Sequence, residues 1–200
     1  MTPPVVSQEA EDSCRLLNQT LAAHQDAVRA LRSLRTAPRI IGAFDSAQVQ
    51  RQATLLRLVS IAEAFAAQTL RAIAEPWAEG SELVVHEAWT AQLDKELSGW
   101  ADFPNTYKKR LGIKPSDAPW TEMHGYTDAR NVIAHGLGTL TTRQRNQSTR
   151  DKLTSVGVAP VNDRITLTED VLVTAAEACR TFIEQLDLTV TRLYHSLHTD

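Results

Sequence analysis

Cysteine is almost absent: only Cys14 and Cys179 occur in 200 residues, with no Cys-x-x-Cys pair. That excludes a disulfide framework and a cysteine-built zinc site, and it fits a reducing cytosol. The six histidines (His24, His86, His124, His135, His195 and His198) form no HExxH or other close ligand set, so no metal site is assigned. Glycine-rich phosphate loops, GxSxG elbows and GxGxxG fingerprints are missing, which removes nucleotide-driven chemistry and serine hydrolysis, and no cofactor is implied. The amino terminus has no basic stretch leading into an apolar one, so no secretory signal is expected. No apolar run reads as long enough to span a bilayer, and the expectation is a soluble, cytoplasmic chain with no membrane contact. Charge of one sign is scarce as well. The net formal charge is −3, which argues against a broad basic face for nucleic acid, so any RNA contact must be local.

What is present is helical periodicity. With 42% hydrophobic and 22% charged residues, the chain has ordinary globular composition and enough length for one core, and residues 1–200 read as a single all-α domain. An N-terminal helix is expected over 7–36, capped by Ser7, with Leu16, Leu17, Leu21, Val28 and Leu31 as its apolar stripe. A second helix, from Asp45 or Ser46 to Glu75, is apolar nearly all round and reads as the central element of a bundle. Glu63 interrupts it. Either that carboxylate finds a wet edge, or it meets Arg130 or His135 and orients them.

A third helix is expected over Glu82–Leu97, with Leu83, Val84, Trp89 and Leu93 inward. A looser connector, 100–119, holds a helical turn at Asn105–Leu111 and the densest basic cluster, Lys108, Lys109 and Arg110. That cluster is a solvated face or a phosphate guide. The polar excursion 137–167 follows the fourth long helix. It predicts a short helix at Arg143–Leu153 and a small hairpin pairing Val156–Val158 with Arg164–Leu167. Its Arg143, Arg145, Arg150 and Lys152 lend local positive charge. The last helix is expected over 168–197, and the fold is a bundle of four to six helices with a minor β excursion.

The fourth long helix, Trp120–His135, ends in Arg130-Asn131-Val132-Ile133-Ala134-His135-Gly136. Asn131 and His135 are i and i+4 and share a face, whereas Arg130 stands about 100° round and joins them only through its long side chain. Gly136 and Gly138 read as the stop signal. Such a corner suits RNA cleavage without metal. A base takes the 2′-hydroxyl proton, the oxygen attacks the adjacent phosphorus, and a cation stabilises the growing charge. Histidine can serve as base or acid, and arginine offers a fork matched to phosphate oxygens. The negative end of the helix favours cations, which suits His135 to an acid or electrostatic role. The plainer reading makes Arg130 an ion-pair partner and His135-Gly136 a helix cap.

The Arg130–His135 motif, with four residues between and a following glycine, resembles the motif of the HEPN superfamily, and its flanks resemble the RiboL-PSP-HEPN subgroup. The resemblance spans roughly 46–197 and implies an up-and-down HEPN-like bundle. It further implies a metal-independent endoribonuclease that dimerises through the motif helix, builds a composite cleft and leaves 2′,3′-cyclic phosphate ends. Arg130 and His135 would be essential, Asn131 and Glu63 supporting, with Lys108, Lys109, Arg110, Arg143 and Arg145 on the RNA. Such domains act as toxins or antiviral effectors, so an antitoxin or regulatory partner belongs to the same expectation. Leu137 stands where antitoxin-modified members carry a tyrosine, so silencing by nucleotide transfer is not expected. A non-catalytic HEPN module binding RNA or protein is the alternative, and a plain dimerisation scaffold the third reading.

Overall fold

The structure, a computed structural model, describes residues 6–34, 45–78, 82–97 and 99–197. All regular elements among them are helical, with no strand. Seven α-helices follow one another: α1 (Gln8–Leu34), α2 (Ser46–Ala74), α3 (Leu83–Glu96), α4 (Phe103–Leu111), α5 (Trp120–Gly136), α6 (Gln147–Ser155) and α7 (Glu169–Leu197). The count among the described residues exceeds the expected four to six because α4, expected as a helical turn, and α6, expected as a short helix, are both nine-residue helices. Residues 35 and 36 of the expected first helix, the turn Arg39–Phe44 and His198 lie outside the described residues.

Side-chain caps set several boundaries. Ser7 Oγ accepts from Ala10 N at 3.2 Å, and Asp45 Oδ1 accepts from Ala47 N and Gln48 N, both at 3.1 Å. Asn146 Oδ1 accepts from Thr149 N at 2.9 Å to open α6, and Thr168 Oγ1 accepts from Val171 N at 3.3 Å to open α7. α2 ends at Ala74, one residue short of the expected Glu75, and a 3-10 turn, Glu75–Ala78, follows it. By length and composition α2 is the one described helix apolar enough to cross a membrane. Its Leu55, Leu58, Val59, Ala62, Phe65, Ala66 and Leu70 are buried in the protein.

Two compact units divide the chain. The first draws on residues 1–13, 62–120 and 181–200, and its core is aromatic. Trp120 is 2% exposed and meets Phe182 edge-on at 4.9 Å, with Tyr107 at 5.3 Å and Trp100 at 5.8 Å. These contacts bury the first residue of α5. Tyr107 donates its hydroxyl to Ala66 O at 2.6 Å, and burial raises that phenol far above its ordinary range. Asp187, 5% exposed, accepts from both Ser7 N and Ser7 Oγ. One expectation fails here. Leu83 and Val84 are 71% and 74% exposed, and of the four apolar residues assigned inward on α3 only Leu93 is buried. Fourteen residues with apolar side chains clustered at one end give no clear apolar stripe to choose between.

The second unit comprises residues 14–61 and 121–180. Its buried stripe on α1 is Cys14, Leu17, Thr20, His24 and Val28; Leu16, expected inside, is 42% exposed. Leu55, Leu58, Met123, Ala129, Val132, Leu140, Leu153, Val158, Leu172 and Cys179 fill this core. Burial pushes the Cys179 thiol up to about 12, so it is an inert packing residue. The expected hairpin takes another form. Asn162 (φ 50°) and Asp163 (φ 63°) make a tight left-handed turn that bridges Val161 to Arg164. Arg164 also bridges to Thr139, Leu140 N donates to Asp163 O at 2.7 Å, and Ile165 N to Gly138 O at 2.9 Å. The segment after α5 is thus the pairing partner. Val156 and Gly157 close α6 through the Leu153 and Thr154 carbonyls, leaving Val158 to bury its side chain.

Candidate functional site

The motif helix is held on three sides by its own sequence. Met123, Ala129, Val132 and Ile133 are buried, while Thr121, Ala134 and His135 are exposed. Periodicity therefore leaves one polar face, carrying His124, Asp128, Asn131 and His135 at i, i+4, i+7 and i+11. Arg130 and Asn131 are half-buried, and Arg130 Nη1 donates to Asn131 Oδ1 at 2.9 Å. This bond fixes one edge of the guanidinium and leaves the Asn131 amide group as a donor. His135 lies one turn beyond Asn131 at the end of the helix.

The helix end differs from the expected glycine stop. Gly136 is still helical, and the left-handed residues are Leu137 (φ 49°) and Gly138 (φ 86°). Leu137 N donates to Ile133 O at 3.0 Å and Gly138 N to Val132 O at 3.2 Å, closing carbonyls that the helix end would leave open. Leu137 is 82% exposed in a conformation that β-carbon sterics disfavour. A non-glycine residue held there, next to His135, is backbone strain beside the candidate site.

His124 is the residue that sequence reasoning left unused. Burial pushes its pKa down and the Lys152 ammonium adds to this, while Asp128 and Glu122 partly offset both. Lys152 Nζ lies 3.6 Å from Asp128 Oδ2, and that oxygen is buried without a hydrogen bond. The spacing of His124 from Asn131 and His135 was the signal that could have found it.

The basic residues assigned to RNA divide into free and committed ones. Lys108 and Arg143 are exposed and have no ion-pair partner among the described residues. Arg110 Nε and Lys109 Nζ both reach Glu96, at 2.9 and 2.8 Å, and the Arg110 guanidinium lies 4.2 Å over Trp89. Arg145 pairs with Asp163 at 3.1 Å, and Arg150 with the same carboxylate. Most of the positive charge is therefore spent within the fold. Glu63 is half-buried and falls in the first unit, whereas Arg130, Asn131 and His135 belong to the second.

The Glu96 pairing carries a measurable consequence. Burial pushes its carboxyl upward, but hydrogen bonds from Arg110, Lys109 and Gln92 outweigh this and bring it down to about 2 from an ordinary 4.5. A depressed folded-state value contributes stability that is complete above pH 4.5 and disappears as the pH falls toward 2. Glu96→Gln should cost about 1–2 kcal/mol at neutral pH, after discounting for screening at Lys109, and flatten that acid limb. Urea titrations across the acid range check both.

A second polar cluster lies within the same unit as the motif. His24 is 2% exposed; its Nε2 lies 2.7 Å from Glu169 Oε2 and its Nδ1 2.9 Å from Thr54 Oγ1. Glu169 also accepts from Arg51 Nε at 2.8 Å. Burial alone would raise the Glu169 carboxyl, but the Arg51 and His24 bonds hold it below its usual range. The cluster ties α1 and α2 to the first turn of α7, and Thr20, His24, Thr54 and Arg57 line a cavity of about 380 Å³ beside it. Its bonds are internally satisfied, as a structural clamp requires. The described residues contain no group of three or more acidic, histidine or cysteine side chains arranged to hold a metal. Comparison with protein-family models, with curated proteins and with solved structures finds no match to this chain.

Proposed function

We propose that this protein is a HEPN-like, metal-independent endoribonuclease that works as a homodimer through its motif helix. The observation that carries the reading is the polar corner of α5. There a guanidinium is oriented by Asn131 at 2.9 Å, and an exposed imidazole follows one turn on. Arg130 would neutralise the phosphorane, Asn131 would position it, and His135 would transfer a proton, giving 2′,3′-cyclic phosphate and 5′-hydroxyl ends. Arg143, in the same unit as the motif and with no ion-pair partner among the described residues, is the side chain left to guide the RNA backbone. The resemblance of 130–136 to HEPN motifs supports the same reading, and with it a toxin or antiviral role.

The test is cleavage of total RNA and labelled oligonucleotides in EDTA by the wild type and His135→Ala. The wild type should cut and leave cyclic phosphate ends, and the variant should lose about 100-fold or more in rate. Equal cleavage by both proteins would overturn the assignment.

The second reading, a non-catalytic HEPN module, has its own support. Leu83, Val84 and Val85 form an apolar surface on α3, 54% to 74% exposed, of the kind that docks a protein partner. A folded, dimeric wild type with no nuclease activity would favour it.

A further inference from the structure

Arg57 is held in place without being neutralised. Elsewhere on α1 and α2, Arg29 and Arg51 each meet a carboxylate, Asp26 and Glu169. Arg57 has no ion-pair partner among the described residues; its Nε donates instead to Thr20 Oγ1 of α1 at 3.1 Å. Thr20 is 6% exposed and spends its one hydroxyl proton on Leu16 O at 2.8 Å, so toward Arg57 it can only accept. A buried hydroxyl on the neighbouring helix thus orients an exposed guanidinium, and both Nη groups stay unbonded among the described residues.

The guanidinium borders the cavity of about 380 Å³ between α1 and α2, a volume within the range of small-molecule sites. Its back wall is fixed and committed. Thr54 Oγ1 lies 2.9 Å from both Gln50 O and His24 Nδ1, and His24 Nε2 lies 2.7 Å from Glu169 Oε2. Neither ring nitrogen is left for a ligand. The uncommitted groups are on the rim: the primary amides of Gln19 and Gln50 make no side-chain hydrogen bond among the described residues. The exposed Ala23 and Ala53 leave the groove between them unfilled. No carboxylate lines it.

These features select a ligand chemistry. A guanidinium tied down at Nε offers its two Nη groups to a planar oxyanion. Arg57 is the one cation of the lining, so it matches a monoanion and would leave a phosphate monoester dianion half compensated. The glutamine amides can each donate and accept, which suits an amide or hydroxyl group beside the charged one. We propose that the α1–α2 groove is a binding site for small organic carboxylates. Arg57 takes the carboxylate, Gln19 and Gln50 take neighbouring polar groups of the ligand, and Thr20 is the positioning residue for the guanidinium. All these residues belong to the second unit, and the site makes no use of the motif on α5.

Titration of the full chain with N-acetylglycine, followed by NMR, tests the site without RNA. The probe should saturate with a dissociation constant of about 1 mM or tighter, which a ligand of this size can reach. The backbone amides of 19–24 and 50–57 should be the ones that move. N-acetylglycinamide, the same shape without the charge, should bind about tenfold more weakly, and so should methyl phosphate. Arg57→Gln alters an exposed side chain and should also lose about tenfold or more in affinity. Thr20→Val keeps the volume but releases the guanidinium, and should lose about threefold. Ala53→Met, at an exposed helical position, should abolish binding by filling the groove with Arg57 still in place. Equal binding of the neutral amide, or unaltered binding by Arg57→Gln, would overturn the proposal. So would saturable shifts confined to other residues, or none up to about 20 mM probe. Tighter binding of methyl phosphate would overturn the choice of carboxylates and give the groove to phosphates.

Discussion

Arg130→Ala should lower the rate of RNA cleavage by about 100- to 1000-fold while leaving the helical signal and the unfolding midpoint near wild type. The two halves of that expectation come from different facts. Alanine is the best helix former, and Arg130 is half-buried on a face flanked by exposed Ala134, so its truncation opens no core cavity. The guanidinium, by contrast, presents a planar fork of charged donors matched to phosphate oxygens, and its bond to Asn131 Oδ1 sets its orientation. Arg130→Lys separates charge from geometry. It keeps a cation on the same turn but loses the fork and the set orientation, and should recover only part of the rate, staying about tenfold or more below wild type. Single-turnover cleavage with saturating RNA, beside a denaturation curve for each variant, gives both readings. If Arg130→Ala cleaves at the wild-type rate, or if it unfolds, the residue is structural.

The corner that motivates this experiment was legible in the sequence because it rests on a short, local pattern. Arg130, Asn131 and His135 sit on one helix, and helical geometry carries their relation from sequence to space with little ambiguity. The same logic extended one step further would have included His124 and Asp128, which continue the stripe by eleven and seven residues from His135. They went unused because a histidine without a nearby motif partner reads as ordinary. His24 shows that this is sometimes right: at 2% exposure it is a core residue held by Thr54 and Glu169 from two other helices. Its position between Thr20 and Val28 on the buried stripe was visible, but the identity of its partners depends on tertiary packing. The partners of the basic clusters were hidden for the same reason. Lys109 and Arg110 look like a phosphate guide until Glu96, more than a turn away in another helix, is seen to hold them.

Helix positions followed from capping and periodicity: Ser7 caps α1, and Asp45, one of the two residues offered for the start of α2, caps that helix. The failures are at places where a local rule has two solutions. Leu83, Val84 and Val85 are consecutive, so no helical face can bury all three, and the chain buries none of them. The excursion offered several short apolar segments of similar strand tendency. Its pairing was decided by the left-handed pair Asn162-Asp163 and by the exit of the chain from α5 at Gly138, not by strand propensity.

Gly125→Ala is the stability experiment that follows from these contacts, and its sign is opposite to what helix propensity says. Gly125 lies inside α5, where alanine would ordinarily gain about 1 kcal/mol. A β-carbon there would stand 2.4 Å from Lys152 O and 2.4 Å from Val156 Cγ1. The valine methyl can rotate away, but the carbonyl belongs to the α6 backbone. That backbone is fixed by the fully buried Leu153, by the Asn146 cap and by Arg150 on Asp163. Separating α5 from α6 would also pull Lys152 away from Asp128 and His124. The clash should therefore dominate, with a net loss of about 2–4 kcal/mol read as a lower urea midpoint at unchanged slope. Adding Val156→Ala to the same chain should restore little, because the carbonyl contact remains. Stabilisation of the single variant would mean that α6 does not approach α5 at Gly125, and the placement of Lys152 beside the polar face would fall with it.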